Sequence, residues 1–446
     1  MTERDLKGKR LTILGAGASG TAIARMAVRM GAEVFVSDAA KIAAGTALSL
    51  KSAGIRYEEE GHTEKIFDCD KVIVGSGFPP NAPVVVKLAS RGITPVGELD
   101  FVMPFMKGRV IGITGSNGKT TTTSLLGHLL KSEGTNCEVA GNIGNPAADI
   151  AGNEADYTVL ELSSFQLHWA KDVKFAGAIV TNLAPDHIDW HGSYENYVRA
   201  KAKLVGFVEH GGFAIVQKRD REIFETGGAS MRYLTWDSPH EEDDIFLSLV
   251  KAFAVMNGKE LFRFGETSLL GTHNMENIAM AIGMVDMLGL GEAARASLPS
   301  YTAPAHRCSL VLEKNGVRYI DDSKGTNIAA SVTAMSAIKG PHIVILGGRG
   351  KGENYGGLTE PLKKYAKYAY LIGEAAEEIG TSLSADGFVD FSMAGDMENA
   401  VKEAVSSARS GDSVLLSPAC ASWDAYKNYR ERGDHFASLV RKYTGV

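Results

Sequence analysis

The sequence predicts an α/β protein made of three domains, each built on a mostly parallel sheet. Two observations support this fold class. Short, nearly continuous apolar runs alternate with helical patterns along the chain, and two glycine-rich turns each follow an apolar run and precede a helical pattern. The chain of 446 residues is also long enough for about three domains with separate cores. We expect these domains at residues 1–102, 103–302 and 303–446.

In the N-terminal domain, the segments 11–14, 33–37 and 72–74 are predicted to be parallel strands. Their apolar residues are nearly continuous rather than alternating, which is typical of strands that are covered on both faces. Segment 92–99 is predicted to form a last strand and an exit turn.

A glycine-rich loop, Gly15-Ala-Gly-Ala-Ser-Gly20, joins the first of these strands to a helix and fits the pattern G-x-G-x-x-G. Asp38 ends the next strand, near the offset of about 20 residues expected of an acid that binds a ribose. The loop predicts a diphosphate at a helix N-terminus, and NAD, FAD or a nucleotide-sugar diphosphate would each satisfy it. A tight packing turn that binds nothing is the alternative.

The central domain opens with the most informative segment of the chain, residues 109–123. An apolar strand leads through Thr-Gly-Ser-Asn-Gly into Lys119 and Thr120 at the start of a helix. Such a turn directs backbone N–H groups at a phosphate chain, while the lysine reaches the outer phosphates and the threonine hydroxyl binds Mg²⁺. Strict P-loop spacing would place glycine at Ile113, so the loop is a variant, Thr-Gly-x-x-Gly-Lys-Thr. A glycine turn with an exposed lysine is the alternative.

Further elements of this domain follow from periodicity and turn signals. We predict strands at 158–162, 178–182 and 214–217, a helix at 274–287, and a hairpin of 249–255 with 261–264 around Asn257-Gly258.

Polar side chains stand at the ends of two of these strands. Glu161 ends one apolar strand, and His187 follows another between Asp186 and Asp189. Ligands of α/β sheets bind beyond the carboxyl ends of the strands, where a carboxylate beside a nucleotide can hold Mg²⁺. A salt-bridged carboxylate and a structural histidine are the alternatives. Lys201 lies on a predicted helix, and its pattern alone favours a solvated helix face.

The C-terminal domain is predicted to be a second doubly wound unit. A hairpin of 310–313 with 317–320 turns at Asn315-Gly316, and strands at 343–346, 369–372 and 414–416 alternate with helical stretches.

Composition excludes several classes of protein. The net charge of −6 and the lack of a basic tail give no support for binding to nucleic acid or to a membrane surface. No apolar run approaches the roughly 18 residues that span a bilayer, and the first residues lack a signal-peptide pattern. The cysteines show no metal-ligand or disulfide spacing and are predicted to be buried thiols in a reducing cytoplasm. They are Cys69, Cys137, Cys308 and Cys420.

With these residues assembled, the chain resembles the Mur peptide ligases of peptidoglycan synthesis over essentially its whole length. The ATP loop of that family has the form Thr-Gly-x-x-Gly-Lys-[Ser/Thr], which accounts for Ile113. The most specific match is the run 416–433, Leu-Ser-Pro-Ala-Cys-Ala-Ser-Trp-Asp-Ala-Tyr-Lys-Asn-Tyr-Arg-Glu-Arg-Gly, which is typical of the members that add D-glutamate. The Asn-Pro-Arg-type motif of the diaminopimelate-adding relatives does not occur.

The resemblance implies an ADP-forming ligase that uses ATP to add D-glutamate to UDP-N-acetylmuramoyl-L-alanine through an acyl phosphate. It also implies a Rossmann-like N-terminal domain that binds the UDP precursor, a central P-loop-type ATPase sheet, and a Rossmann-like C-terminal domain that binds the amino acid. The third domain would close on the nucleotide. A cytoplasmic monomer with small-molecule substrates is expected, without nucleic-acid or membrane partners.

The same resemblance implies roles for individual residues. Lys119, His187 and Lys201 would be catalytic. The residues expected to bind ATP are Gly115, Ser116, Asn117, Gly118, Lys119, Thr120, Thr121, Asn274, Asn277, Arg307 and Asp322. Those expected to bind the UDP precursor are Ala18, Ser19, Asp38, Ser76, Gly77, Asn142, Ser163 and Gln166. Those expected to bind D-glutamate are Lys324, Thr326, Lys351, Ser422, Trp423 and Tyr429. Two Mg²⁺ ions, with Mn²⁺ as a substitute, would be held by Thr120, Glu161, His187 and a Lys201 carbamylated by CO₂.

The chain departs from the family pattern at a few positions. Trp190 stands where many relatives have arginine, Arg349-Gly350 where an acidic residue is common, Trp423 in place of a smaller apolar residue, and Gly325 in place of alanine. These differences concern the acceptor pocket more than the phosphoryl chemistry.

Two other functional classes deserve comparison. A nicotinamide-dependent oxidoreductase built on the Gly15 loop leaves the P-loop and Glu161 without a role. A nucleotide-switch module predicts binding without turnover stimulated by an amino acid. Within the ligase class, a folylpolyglutamate synthetase shares the ATP loop but should lack the N-terminal UDP-type domain and the run 417–433.

Overall fold

The computed structural model describes residues 6–142, 144–225, 228–236, 244–267, 269, 271–338, 340–350 and 352–446. These residues form three sheets with helices between the strands, which confirms the predicted α/β class.

The chain divides into two compact units. One unit comprises Met1–Glu266 with Glu276–Tyr301, and the other comprises Thr267–Met275 with Thr302–Val446. The first two sheets belong to the first unit and the third sheet to the second. The domain boundaries 102/103 and 302/303 remain predictions.

The first sheet contains β1 Arg10–Leu14, β2 Glu33–Ser37, β3 Arg56–Glu58, β4 Lys71–Val74 and β5 Val96–Gly97. All its strands are parallel, in the order β3-β2-β1-β4-β5. Its helices are α1 Ala18–Arg29, α2 Ala44–Ser52, α3 Pro83–Ser90 and α4 Glu98–Val102, with 3-10 turns at Glu64–Phe67 and Met103–Phe105. The predicted strand 92–99 shrinks to two residues, because Leu99, Phe101 and Val102 bury one face of a helix instead.

The second sheet contains nine strands, β6 Arg109–Thr114, β7 Cys137–Gly141, β8 Tyr157–Glu161, β9 Phe175–Val180, β10 Val208–Gln217, β11 Ser230–Thr235, β12 Ile245–Ser248, β13 Phe253–Met256 and β14 Lys259–Arg263. Their order is β14-β13-β12-β11-β10-β9-β6-β8-β7, parallel except for the antiparallel end formed by β12, β13 and β14. The helices are α5 Lys119–Ser132, α6 Ala147–Ile150, α7 Ser164–Trp169, α8 Ile188–His191, α9 Tyr194–Gly206, α10 Thr272–Met287 and α11 Glu292–Ser297. Short 3-10 turns occur at Lys218–Ile223, Phe264–Glu266 and Leu298–Ser300.

The predicted hairpin at Asn257-Gly258 is present, with φ of 52° and 70° at these two residues. Its first strand starts later than predicted, at Phe253. Val250 is 97% exposed and Ala252 has a φ of 54°, so the residues before Phe253 form a turn. The strands β7, β11 and β12 were not predicted, because β7 and β11 mix polar and apolar residues and β12 has only four residues.

The third sheet contains β15 Ser309–Lys314, β16 Val317–Asp321, β17 His342–Gly347, β18 Ala366–Ile372, β19 Phe391–Gly395 and β20 Ser413–Leu416. Their order is β15-β16-β20-β17-β18-β19, with only the hairpin of β15 and β16 antiparallel. The helices are α12 Ile328–Ala337, α13 Thr359–Tyr365, α14 Ala376–Ala385, α15 Met397–Ser407 and α16 Tyr429–Thr444, with a 3-10 turn at Tyr355–Leu358. The strand β19 was not predicted.

In each sheet, the parallel strands bring their carboxyl ends to the same edge. The glycine loop after β1 lies at this edge of the first sheet. The glycine loop after β6 and the residue Glu161 of β8 lie at this edge of the second sheet. None of the helices that the structure describes is long and apolar enough to cross a membrane. The cysteines are free thiols, of which Cys137 and Cys420 are buried.

Candidate functional site

The loop between β6 and α5 has the geometry of a phosphate-binding turn. Gly115 and Gly118 have φ of 143° and 81°, a region that side chains other than glycine rarely adopt. A Cβ at Gly115 would overlap the Thr181 hydroxyl, and one at Gly118 would overlap the Asn277 amide. Both positions therefore require glycine on conformational and on steric grounds. Thr120 and Thr121, in the first turn of α5, are buried beside this loop.

Side chains from neighbouring segments hold the loop in place. The Asn182 Oδ1 accepts the backbone N–H of Asn117 at 2.9 Å, and the Thr181 hydroxyl donates to the Asn117 carbonyl at 2.5 Å. The Ser116 hydroxyl lies 2.8 Å from the Tyr197 hydroxyl. The sequence analysis gave no role to these three partner residues, although Asn182 is the last residue of the predicted strand 178–182.

Two lysines meet at one backbone carbonyl of the loop. The Lys119 Nζ donates to the carbonyls of Gly115 and Ser116 at 2.7 and 2.8 Å, and the Lys201 Nζ donates to the same Gly115 carbonyl at 2.8 Å. Lys201 is only 2% exposed, so the solvated helix face favoured by its pattern is wrong. Burial, and then the charge of Lys119, hold the pKa of Lys201 well below its usual value. The surroundings of this lysine therefore disfavour its charged ammonium form.

Glu161 has an oxygen atom suited to a cation. It ends β8 and is 2% exposed, and its Oε1 accepts a hydrogen bond from the Asn142 amide at 3.0 Å. Its Oε2 is buried and has no hydrogen-bond partner among the described residues. A buried carboxylate oxygen without a donor is costly, and a metal ion would satisfy it.

No group of three or more His, Cys, Asp or Glu side chains able to hold a metal lies within the described ranges. Mg²⁺ commonly binds through one or two carboxylates, with water and phosphate oxygens completing its shell. A single carboxylate such as Glu161 is therefore compatible with Mg²⁺ bound together with a nucleotide.

His187 precedes α8 with a φ of 52°, and its side chain is half-exposed. Its Nε2 lies 3.5 Å from Asp186, and its ring lies 4.8 Å from that of Phe165. The left-handed backbone turns the chain sharply between β9 and α8. His187 therefore stays near the carboxyl edge of the sheet, accessible to a ligand.

Of the remaining residues expected to bind ATP, Asn274 and Asn277 are both buried on α10. The Asn277 Oδ1 accepts a hydrogen bond from the Thr122 hydroxyl at 3.2 Å, which ties α10 to the helix that follows the phosphate loop.

The first glycine loop lies beside a cavity of about 620 Å³ in the N-terminal part of the first unit. A Cβ at Gly20 would overlap the Gly15 carbonyl, so the third glycine permits the close approach of helix and loop. Asp38 accepts the N–H groups of Ala16 and Ala40 at 2.7 and 2.8 Å, and it lines the cavity together with Ala18.

Three of the other residues expected to bind the precursor, Ser19, Ser76 and Gln166, interact with a carboxylate that the sequence analysis missed, Glu98. The Gln166 amide donates to Glu98 at 3.0 Å, and the hydroxyls of Ser19 and Ser76 also interact with its carboxyl group. Ser163 caps α7 and bonds reciprocally with Gln166. Gly77 lies nearby, and its carbonyl accepts a weak hydrogen bond from the Trp190 indole at 3.4 Å.

In the second unit, Asp322 lies just after β16. The Ser417 hydroxyl donates to its Oδ2 at 2.7 Å, and the Cys308 N–H donates to its Oδ1 at 3.2 Å. Burial raises the pKa of Asp322 to about 7, while its hydrogen bond from Ser417 and the charge of Arg307 act in the opposite direction. The two residues of this unit expected to contact ATP, Arg307 and Asp322, therefore interact with each other.

The structure also brings together some of the residues expected to bind D-glutamate. The Lys324 ammonium lies 4.2 Å from the centre of the Tyr429 ring, at the N-terminus of α16. Ser422 is buried, Trp423 is 66% exposed and Thr326 is partly exposed. Lys351 lies outside the described residues.

A buried arginine that the sequence analysis did not single out fixes this region. Arg432 is 1% exposed and donates to the carbonyls of Ser323, Cys420 and Ala421 and to the Ser323 hydroxyl. It therefore joins the segment after β16 to the segment after β20, from which Lys324 and Ser422 extend.

The fold and these sites define an α/β nucleotide-binding protein with a P-loop-type phosphate site and a second glycine loop suited to a diphosphate. Comparison with known families agrees with this class. Residues 10–84 match the MurD N-terminal domain, residues 113–285 the Mur ligase middle domain, and residues 306–420 the glutamate ligase domain of Mur ligases.

The chain therefore belongs to the Mur ligase family. Among its curated relatives, the UDP-N-acetylmuramoylalanine–D-glutamate ligase of Acidobacterium capsulatum is 36% identical, over 99% of this chain and 98% of that protein. The enzyme of the same name from Christiangramia forsetii is 38% identical, over 97% and 99%.

Solved structures of Mur ligases share the fold at low sequence identity. The UDP-N-acetylmuramate–alanine ligase MurC of Thermotoga maritima has a TM-score of 0.62 and 19% identity, and the alignment covers 98% of this chain and 99% of that chain. The MurF ligase of Thermotoga maritima, solved in complex with ADP, has a TM-score of 0.61 and 17% identity, over 100% and 97%.

Proposed function

We propose that this protein is an ADP-forming ligase that joins D-glutamate to UDP-N-acetylmuramoylalanine, a step of peptidoglycan synthesis. The curated relatives that carry this name span nearly the whole chain. The observation that carries the proposal is that the side chains of Lys119 and Lys201 both contact the Gly115 carbonyl of the phosphate loop. Glu161 ends β8, which pairs with β6, the strand that leads into the phosphate loop.

The reaction must first bring two anions together, the carboxylate of the alanyl group and the γ-phosphate of ATP. At about 4 Å, each pair of unit charges repels by about 4 kcal/mol at an effective dielectric constant of about 20. Lys119 supplies a compensating positive charge at the outer phosphates. The N–H groups of the loop and of the first turn of α5 supply partial positive charge along the phosphate chain.

Mg²⁺ would supply the remaining charge compensation and orient the phosphate oxygens. Thr120 and Glu161 would hold one ion, consistent with the free buried oxygen of Glu161. His187 and Lys201 would hold the second ion. An unmodified lysine is a poor ligand here, because its ammonium form repels the metal and its neutral amine offers a nitrogen where Mg²⁺ prefers oxygen.

Carbamylation of Lys201 resolves this conflict. The neutral amine attacks CO₂, a proton is released, and the product is a carbamate anion with two oxygen ligands. The reaction requires an uncharged amine, and burial disfavours the ammonium form of Lys201. The position of Lys201 against the Gly115 carbonyl would place the carbamate beside the phosphate loop.

Phosphoryl transfer to the alanyl carboxylate gives an acyl phosphate and ADP. The amine of D-glutamate then attacks the acyl carbon, and phosphate leaves from a tetrahedral intermediate. We assign amino-acid binding to Lys324, Thr326, Lys351, Ser422, Trp423 and Tyr429, and nucleotide contacts in the same unit to Arg307 and Asp322. We place the reaction in the cytoplasm and expect a monomer.

One assay tests the proposal. ADP release is measured with the purified protein, ATP, Mg²⁺ and UDP-N-acetylmuramoylalanine, and D-glutamate is compared with L-glutamate, L-lysine and diaminopimelate. We expect turnover only with D-glutamate. Turnover with another amino acid would reassign the acceptor, and no ADP release with any of them would contradict the ligase assignment.

A further inference from the structure

Glu98 is a buried carboxylate for which the proposed reaction provides no role. It is the first residue of α4, directly after the short strand β5, and it is 2% exposed. Its Oε1 accepts a hydrogen bond from the Gln166 amide at 3.0 Å. Its Oε2 is buried and has no hydrogen-bond partner of normal geometry among the described residues.

The orientation of the Gln166 amide is determined by its other partner. The Gln166 Oε1 accepts the N–H and the hydroxyl of Ser163 at 2.9 and 3.1 Å, so its NH₂ group must face Glu98. The hydroxyls of Ser19 and Ser76 are the other polar groups that act on the Glu98 carboxyl. Glu98 therefore connects three separate segments, each of which carries residues assigned to precursor binding.

A serine hydroxyl has only one proton to donate. When Ser19 or Ser76 donates that proton to the Glu98 carboxylate, it can offer only lone pairs to a ligand. The diphosphate of the precursor consists of acceptors alone and needs the same proton. If the serines turn to the diphosphate, an ionised Glu98 is left buried, short of donors and close to another anion, which is costly.

We propose that Glu98 is a positioning residue of the precursor site that takes up one proton when the precursor binds. Protonated Glu98 donates to a serine oxygen, and the serine protons then pass to the diphosphate oxygens. The proton comes from solvent, no bond other than O–H changes, and Gln166 keeps its hydrogen bond to Oε1. This inference rests on the proposed function, since it assumes a UDP-linked ligand at this site.

The surroundings of Glu98 are consistent with uptake of a proton. Burial raises the pKa of Glu98, and the Gln166 amide and the Ser19 and Ser76 hydroxyls act in the opposite direction. Loss of the serine hydrogen bonds to a ligand, and the nearby negative charge, would raise this pKa further. The titratable and charged groups on the elements packed against α4, and on α4 itself, are Asp100, His168, Arg25, Arg29 and Lys71.

The experiment is isothermal titration calorimetry of the protein with UDP-N-acetylmuramoylalanine in buffers of different ionisation enthalpy. Across about pH 5 to 9, we expect uptake that approaches one proton per bound precursor, with affinity falling up to about tenfold per pH unit where uptake is complete. The diphosphate diester of this ligand stays ionised throughout, so it does not contribute to the uptake.

Variants assign the proton to Glu98. Glu98→Gln is close in shape and permanently neutral, and it should abolish the uptake and flatten the dependence of affinity on pH. Glu98→Asp keeps an ionisable group and should retain the uptake. Glu33→Gln, which removes an exposed carboxylate of the same sheet, should behave as the wild type.

The outcomes separate the two proposals. A protein that binds and turns over the precursor without proton uptake at any pH overturns the role of Glu98 and leaves the ligase assignment intact, as does uptake that persists in Glu98→Gln. A protein that does not bind the precursor contradicts the proposed function itself. The wild-type proton count needs no variant, so an absence of uptake overturns the role of Glu98 even if Glu98→Gln fails to fold.

Discussion

At the scale of single residues, Lys119 and Lys201 illustrate how position decides chemistry. The side-chain nitrogens of both lysines contact the Gly115 carbonyl, but Lys119 is partly buried at the end of the loop whereas Lys201 is fully enclosed. The first lies at the start of α5, where it can reach a bound phosphate. The surroundings of the second disfavour its charged ammonium form, and the neutral amine is reactive toward CO₂.

We expect Lys119→Ala to abolish ADP formation, with a loss of at least about a thousandfold, because the positive charge at the transferring phosphate is removed. ADP release under saturating substrates measures the effect. Lys131→Ala removes an exposed lysine of the same helix and should retain full activity. A Lys119→Ala protein with near-normal turnover would contradict the assignment of the loop.

Lys201→Ala should also lose turnover, but short-chain carboxylates such as acetate or propionate should restore part of it. They can supply the missing carboxylate oxygens in the space left by the side chain. The same carboxylates should not rescue Lys119→Ala, which serves as the control. Full activity of Lys201→Ala without additives would show that no carbamate is needed.

Asp322 predicts a pH dependence of stability. Its pKa is raised in the folded protein to about 7, so the stability tied to this group is complete below its unfolded pKa of about 3.9 and is lost as the pH rises through about 7. Each unit of difference in pKa corresponds to about 1.4 kcal/mol. Between about pH 5 and pH 8, we expect the melting temperature of Asp322→Asn to fall less than that of the wild type, with thermal unfolding of both proteins measured side by side. Equal slopes for both proteins would contradict the raised pKa.

At the scale of elements, the two strand–loop–helix units depend on glycines for different reasons. Gly115 and Gly118 require positive φ, whereas Gly20 requires space, because its helix packs against the Gly15 carbonyl. The G-x-G-x-x-G pattern predicted the loop after β1 correctly. It could not indicate which ligand the loop accepts, since a diphosphate is common to several cofactors.

Gly20→Ala should therefore displace the first glycine loop. We expect a loss of stability of about 1–3 kcal/mol, typical of overpacking, and a higher KM for the precursor with an unchanged KM for ATP. Denaturant unfolding and initial-rate kinetics measure these effects. Gly206→Ala, at a helical glycine whose Cβ would meet open space, should leave both KM values unchanged. A normal precursor KM in a folded Gly20→Ala protein would argue against this loop as the precursor site.

At the scale of the whole molecule, the residues assigned to ATP divide between the two compact units. Lys119 and Thr120 belong to the first unit, and Arg307 and Asp322 to the second. A local motif identifies only the first pair. The second pair has no recognisable spacing and was assigned through the family resemblance alone.

Arg307→Ala tests the contribution of the second unit. We expect turnover to fall about tenfold to a thousandfold through loss of a positive charge at the nucleotide, with precursor affinity unchanged in calorimetry. Arg441→Ala, at an exposed position of α16, is the matched control. Unaltered kinetics of Arg307→Ala would remove this residue from the nucleotide site.

The sequence by itself determined the fold class, the two glycine loops and most parallel strands, because these follow from short-range periodicity and from backbone conformations that only glycine adopts readily. The tertiary structure alone decided the burial of Lys201, the anchoring of the phosphate loop by Asn182 and Tyr197, and the enclosure of Glu98. These features depend on contacts between residues far apart in the chain. Solvent exclusion and hydrogen-bond geometry set their chemistry, and neither is encoded in a local pattern.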